Sequence, residues 1–278
     1  MTFEKIIEGI DTLPPLSNAA NAVRSMYSSG LEIVSVPSLV RVLESDAMLM
    51  ANMLKMINTP FYGLRKRVFN AKQAVTLLGT HRVYMFVVKY SIDETLKADT
   101  SIYGFNTKQF NELCHLQSSL IYQWYSKINL ADAKLLSQLA LIMESGKLLL
   151  ANEVNKSDYV GEFRKSFNEC ESIIKYEKEF LGMTSYKISA ELFKHWNLEK
   201  QYVDILDALD YDEEKLKEVD LKLKKYRNLM DVIITSINVK EILTENSIHE
   251  AAKKVAKMGL SRNIFEQTAY KVRDAYFT

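Results

Sequence analysis

Residues 135–154 read LLSQLALIMESGKLLLANEV, and this stretch decides the class of fold. Leu135, Leu136, Leu139, Ala140, Leu141, Ile142 and Met143 place apolar side chains on nearly every side of a helical wheel. That pattern marks a helix buried at the centre of a bundle, not one lying on a surface. A helix is expected from Asp132 through Glu144, interrupted by Gly146 before a second from Lys147 to Val154.

Outward from this centre the chain offers few places to turn. Only 9 Gly and 4 Pro occur in 278 residues, too few for the many tight turns of an all-β fold. The prolines, Pro14, Pro15, Pro37 and Pro60, all fall in the first quarter, so everything later can run as helix. Upstream, helices are expected over Ser17–Met26, from Pro37 to Glu44, from Asp46 to about Ile57 with Ser45 as its cap, over Asn70–Leu78 to a stop at Gly79, and over Arg82–Leu96. Met48, Met50, Met53 and Met56 in the third of these read as core filled by adaptable thioethers.

The polar break Asp99–Asn106 suggests a boundary near residue 100, separating an N-terminal helical subdomain (1–100) from a second (101–278) that ends in a helical tail. Beyond it, helices are expected from Asn106 or Thr107 to Lys127, over Tyr159–Leu181, Ser185–Trp196 and Lys200–Leu209, through Asp212–Leu243, and over Ile248–Met258 and Arg262–Tyr270. No repeat at 20 to 50 residues is present. The expectation is an all-α, multi-helical protein.

Composition excludes several functions. Lys and Arg number 36 against 35 Asp and Glu, a net charge of +1, without the broad positive field that sequence-independent nucleic-acid or anionic-membrane binding needs. Cys114 and Cys170 are too few for a disulfide scaffold and form no CxxC pair, which fits a reducing cytoplasm. The first residues, MTFEKIIEGIDTLPPL, contain no apolar run of signal-peptide length, and no window reaches a membrane span. A cytoplasmic protein is expected.

Sequence signs of chemistry are sparse. Neither GxGxxG nor GxxxxGK[ST] occurs, and Ser145-Gly146-Lys147 lacks the first glycine and the strand of a phosphate loop, so no cofactor is expected. His81, His115, His195 and His249 stand apart, without HExxH spacing. Only His115, beside Cys114, is placed to face an interior. Arg65-Lys66-Arg67 follow the aromatic pair Phe61 and Tyr62, a loop where a partner could dock. Lys222, Lys224 and Lys225 among Glu218 and Asp220 read as surface ion pairs on a helix.

Five blocks in order raise a family: LPPLSNAANAVRSM from Leu13, VPSLVRVLESDAMLMANMLKMINTPFYG from Val36, NAKQAVTLLGTHRV from Asn70, LSQLALIMESGKLLLANEV from Leu136, and EKEFLGMTSYKISAELFKHWNLEKQYVDIL from Glu177. Together these resemble the HDOD proteins, bacterial signalling modules related to the HD phosphohydrolases, over about Leu13–Leu209. The resemblance implies a helical N-terminal subdomain, in which Gly63 belongs to the FYG motif, packed on an HD-like bundle.

In the catalytic relatives a His, then a His-Asp pair, and later ligands bind metals that activate water. By this resemblance His115 falls at the first His, Met143-Glu144 at the pair and Ser185 at a later His, while Asp207-Ala208-Leu209 stands where the next helix would end in His. A thioether suits hard divalent ions poorly. The resemblance therefore implies a degenerate metal site and a non-catalytic signalling role through protein partners, in motility or stress control, alongside cyclic di-GMP or two-component modules acting in trans. Gly146 and Lys147 are retained for structural reasons: Gly146 is expected at positive φ between two helices, and Lys147 at the free carbonyls of the first. Two alternatives remain open, a residual phosphohydrolase using His115, Glu144 and Asp132, and a sensor that binds a nucleotide in the HD-like pocket without cleaving it.

Overall fold

The computed structural model describes residues 3–28, 34–58, 64 and 66–277. Among them it contains seventeen α-helices and a 3₁₀ turn at Thr100–Tyr103, with no strand and a lone antiparallel bridge between Ile237 and Ile242. The all-α expectation holds. The chain divides into two compact units, Pro14–Thr95 and the remainder, Met1–Leu13 with Leu96–Thr278. The sequence boundary near residue 100 lies a few residues past this division. The first thirteen residues, grouped by sequence with the N-terminal subdomain, belong to the larger unit.

The smaller unit holds α2 (Asn18–Ser28), α3 (Val36–Glu44), α4 (Ala47–Ile57), α5 (Ala71–Leu78) and most of α6 (Thr80–Leu96). Pro37 sits in the first turn of α3, where its missing N–H costs no hydrogen bond. The cap of α4 is Asp46, whose carboxylate accepts from the N–H groups of Met48 and Leu49, whereas Ser45, expected as the cap, ends α3 instead. Leu49, Met53 and Ile57 are the buried face of α4, and Met48 points outward. Asn58 closes α4 and clasps Val68 through two 2.8 Å bonds, one donated and one accepted. Asn70 caps α5 by accepting from Gln73 N, and Gly79 ends it at φ +80°.

In the larger unit α7 (Thr107–Tyr125) opens with a reciprocal cap between Asn106 and Gln109, and α8 (Leu130–Ile142), capped by Asn129, starts two residues before the expected position. Then come α9 (Ser145–Asn155), α10 (Val160–Glu169), α11 (Ile173–Leu181), α12 (Ser185–His195) and α13 (Lys200–Asp210). The expected single helix over Tyr159–Leu181 is two, because Ser172 starts a new helix by accepting from Lys175 N. The run Asp212–Leu243 likewise breaks into α14 (Glu213–Glu218) and α15 (Leu221–Ser236), with Asp220 capping the second. α16 (Glu245–Lys257) and α17 (Arg262–Phe277) complete the chain.

The apolar wheel of α8 is explained by its neighbours: Leu136, Leu139 and Ala140 are all 0% exposed, with α7 on one side and α15 on another. The tail is part of this core. α15 packs on α7, α8 and α13, and α17 packs on α7, where the fully buried Trp124 meets Phe265 edge-on at 4.9 Å. α1 (Phe3–Asp11) packs on α9 and α12 through Ile6 and Ile10, which explains its membership of this unit. No described helix is long and apolar enough to cross a membrane.

Candidate functional site

The turn between α8 and α9 brings the retained Ser145-Gly146-Lys147 against α12. Gly146 is not at positive φ as expected; it lies in the first turn of α9. The requirement for glycine is close approach: a Cβ there would lie 1.9 Å from the carbonyl oxygen of Ser185 and 2.8 Å from Ser189 N. In that space Gly146 N donates to Ser189 Oγ at 2.7 Å, and Ser189 Oγ donates to the Met143 carbonyl at 2.7 Å. The two helices touch through backbone because no side chain intervenes.

That contact delivers Lys147 into a buried polar cluster, not to the carbonyls of α8. Its Nζ lies 2.8 Å from Glu144 Oε2 and 3.7 Å from Glu177 Oε1, and donates to Ser185 Oγ at 2.8 Å. The Lys147, Glu144 and Glu177 side chains are 2%, 1% and 1% exposed. Ser185 turns its own N–H and hydroxyl to Glu177 Oε2 at 2.7 and 2.8 Å. Glu144 Oε1 accepts from Gln117 Nε2 at 2.8 Å and from Tyr186 OH at 3.2 Å, and the ammonium stands 4.4 Å from the Tyr186 ring centroid. Gln117 Nε2 also donates to the Ile237 carbonyl at 2.9 Å, which ties the tail to the cluster.

The electrostatics follow from this arrangement. Burial pulls the Lys147 ammonium down, but Glu144 and Glu177 more than offset it and hold it above the ordinary lysine value. Burial pushes the Glu177 carboxyl up against the opposing pull of Lys147 and Ser185. Tyr186 is pushed well above the usual phenol range by burial and by the two carboxylates.

The positions that the resemblance aligns with metal ligands are therefore a mixed set. Glu144 and Ser185 meet across Lys147, Met143 is fully buried, and His115 is half-buried on α7. Such a set does not suit a hard divalent cation, since a thioether and a hydroxyl replace imidazoles and an ammonium already sits against the carboxylate. Among the described residues, no three His, Cys, Asp or Glu side chains come together as a metal-binding group. The α7 side chain that reaches Glu144 is Gln117, which the sequence reading did not single out. A signal existed: Phe110, Leu113, Gln117, Leu120 and Trp124 follow heptad spacing, so a polar residue interrupts a buried stripe.

Other expected residues lie elsewhere. Asp207 binds Lys187 at 2.8 Å and Lys194 at 3.2 Å, in a network with Glu191. Asp132 is held by Lys225 at 2.7 Å and accepts from Tyr226 OH at 2.5 Å. Burial pushes its carboxyl up, but these partners prevail and hold it below its usual value. Lys225 thus pairs across the bundle and not with Glu218 or Asp220 as expected. In the loop expected to contact a partner, Lys66 and Arg67 are exposed, with Arg67 5.9 Å from the ring centroid of Phe69, while Phe61, Tyr62, Gly63 and Arg65 lie outside the described residues.

Solved structures share this architecture. A proposed phosphohydrolase from Shewanella amazonensis SB2B superposes with a TM-score of 0.73 at 15% identity, covering 97% of this chain and 94% of that one. A proposed signal transduction protein from Marinobacter aquaeolei VT8 gives 0.71 at 20% identity, over 99% of this chain and 59% of that one. An HDOD domain protein of unknown function from Geobacter sulfurreducens gives 0.62 at 13%, over 98% and 95%. No curated protein matches. The fold thus defines an all-helical protein of the HD-like class. The sequence profile of the HDOD domain matches residues 13–210, and the chain belongs to that family.

Proposed function

We propose that this HDOD protein is a non-hydrolytic regulator in bacterial signal transduction, acting through protein contacts. One observation carries the reading: Lys147 bridges Glu144 and Ser185 at 2.8 Å each, inside a cluster at most 2% exposed at its three charged side chains. A lysine ammonium at the junction of the degenerate ligand positions neutralises Glu144 and occupies the place beside it. A dication would have to displace that ammonium from a carboxylate buried with it away from bulk solvent. The designation of the Marinobacter neighbour as a signal transduction protein agrees with a regulatory role, whereas the Shewanella neighbour is designated a phosphohydrolase.

The test is hydrolysis of cyclic dinucleotides and of a generic aryl phosphodiester by the full chain, with Mn²⁺, Mg²⁺, Fe²⁺ or Zn²⁺ supplied. No turnover above buffer is expected. Turnover that disappears in Glu144→Gln would overturn the reading and establish a residual phosphohydrolase.

A further inference from the structure

In the smaller unit the backbone around Phe69 is fixed while its side chain stays in the open. Val68, 3% exposed, donates its N–H to Asn58 Oδ1 and accepts from Asn58 Nδ2, each at 2.8 Å. One residue on, the Phe69 N–H donates to Gln73 Oε1 at 2.9 Å, and the Gln73 N–H donates to Asn70 Oδ1 at 2.8 Å. The residue before an N-cap commonly folds onto the fourth helical position. That position is Ala74, fully buried, and Phe69 remains 69% exposed instead.

The helix that follows continues this face. Ala71, Ala74 and Val75 are the buried side of α5, so Lys72, Gln73, Thr76 and Leu77 form the other, all of them exposed, Leu77 at 55%. Gln73 and Leu77 are neighbours one turn apart, as are Lys72 and Thr76. The Phe69–Gln73 bond joins the phenylalanine to the first of these rows, and the Arg67 guanidinium lies 5.9 Å from the Phe69 ring centroid. The surface is therefore continuous through contacts made within residues 67–77.

Its charge is of one sign. From Ala47 to Ile92 the chain has no Asp or Glu and seven Lys or Arg. Arg67 and Lys72 are exposed, and neither forms an ion pair among the described residues. The first carboxylate upstream, Asp46, caps the far end of α4, about 16 Å along that helix from the Asn58–Val68 clasp. Exposed apolar side chains beside unpaired cations, with no anion in the surrounding sequence, are complementary to an acidic segment.

We infer that the outer face of α5, with Phe69 and Leu77 as apolar anchors and Arg67 and Lys72 beside them, docks an acidic segment of a partner protein that carries apolar side chains. The inference rests on the reading of the chain as a regulator working through protein contacts, and supplies the chemistry of the partner. An aromatic anchor whose backbone is already fixed loses little entropy on binding. Two cations among apolar side chains suit the few carboxylates of one peptide, whereas a nucleic-acid backbone or an anionic membrane is held by many charges in sum.

The experiment selects peptides of about 12 residues from a random phage-displayed library on the full chain, and measures the enriched sequence by fluorescence anisotropy. Enrichment of Asp and Glu beside Leu, Ile, Phe or Trp is expected, with binding weakened by salt. Phe69→Ser with Leu77→Ser is expected to reduce affinity by about tenfold or more while the thermal melt stays in place, because both side chains are exposed. Arg67→Glu with Lys72→Glu is expected to reduce it comparably. No enrichment, enrichment of neutral or basic sequences, or binding that both double variants leave intact would overturn the inference. So would a melt that falls in Phe69→Ser, which would assign Phe69 to the fold. Tighter binding of a uridine oligonucleotide or of phosphatidylglycerol vesicles, or self-association of the chain, lost in Phe69→Ser, would equally replace the peptide as occupant. None of these outcomes touches the hydrolysis assay, so failure of the surface and failure of the non-hydrolytic reading are separable.

Discussion

Two lysine–carboxylate pairs in the larger unit have nearly the same length and opposite character. Lys147 stands 2.8 Å from Glu144 with both side chains sealed, and Lys225 stands 2.7 Å from Asp132 with the lysine 40% exposed. In the first pair neither charge has water to fall back on, so each depends on the other and on Ser185, Gln117 and Tyr186. In the second, solvent shares the load, and the pair positions two helix starts without locking them. The same chemistry therefore serves as a sealed clamp in one place and as a solvent-shared tie between two helices in the other.

The comparison is broken most forcefully by Lys147→Met. It leaves Glu144 and Glu177 buried and facing one another, and a loss of about 3–5 kcal/mol in urea unfolding is expected. Adding Glu144→Gln and Glu177→Gln to that variant should recover at least half of the loss, because the cost comes from stranded charge. A triple variant as unstable as the single one would assign the effect to packing instead. Gly146→Ala tests the clamp from the backbone side. Its Cβ meets the Ser185 carbonyl, so α9 and α12 must separate, with an expected cost of about 1–3 kcal/mol or more by the same measurement.

At the open pair the effects are smaller and depend on pH. Asp132→Asn exchanges charge-assisted bonds for neutral ones, with about 1 kcal/mol expected at neutral pH. The Asp132 pKa is depressed in the folded chain, so its contribution is complete above the ordinary carboxylate value and is lost as pH falls through the folded value. Unfolding curves of the native chain and of Asp132→Asn should therefore converge in acid. A gap that persists undiminished would show that the carboxylate is not the source. Leu221→Ser is expected to change stability by less than about 0.5 kcal/mol, since the side chain is 86% exposed. A larger loss would make Leu221 a structural residue.

Much of this architecture was legible in the chain, and the reasons are local. Asn70, Asn106 and Gly79 act at the helix ends where side-chain chemistry placed them, because a cap is an interaction between near neighbours. The errors are local as well. Ser45 and Asp46 compete for one cap, and the carboxylate won by accepting two N–H groups. Cys170-Glu171-Ser172 interrupts an amphipathic pattern that periodicity alone carries straight through.

The site was legible only in outline. The family resemblance singled out Met143, Glu144 and Ser185 as positions to examine. That Lys147 fills the junction follows from bringing α9, α11 and α12 together, 38 residues apart in the case of Lys147 and Ser185. Glycine at position 146 suggested a turn, whereas its use is to let one backbone meet another, a property of the partner helix that no local pattern encodes.

Composition and periodicity by themselves determined that the chain is helical throughout and that α8 is central. Short-range forces suffice for those conclusions, since helix formation, capping and the burial of an apolar stripe act within a few residues. Only the tertiary structure decided which charges are buried together, that the tail beyond residue 210 completes the core, and that Lys225 crosses the bundle to Asp132, 93 residues away in sequence. Those outcomes depend on which distant surfaces exclude water from one another, and desolvation is set by the assembled bundle, not by any one of its helices.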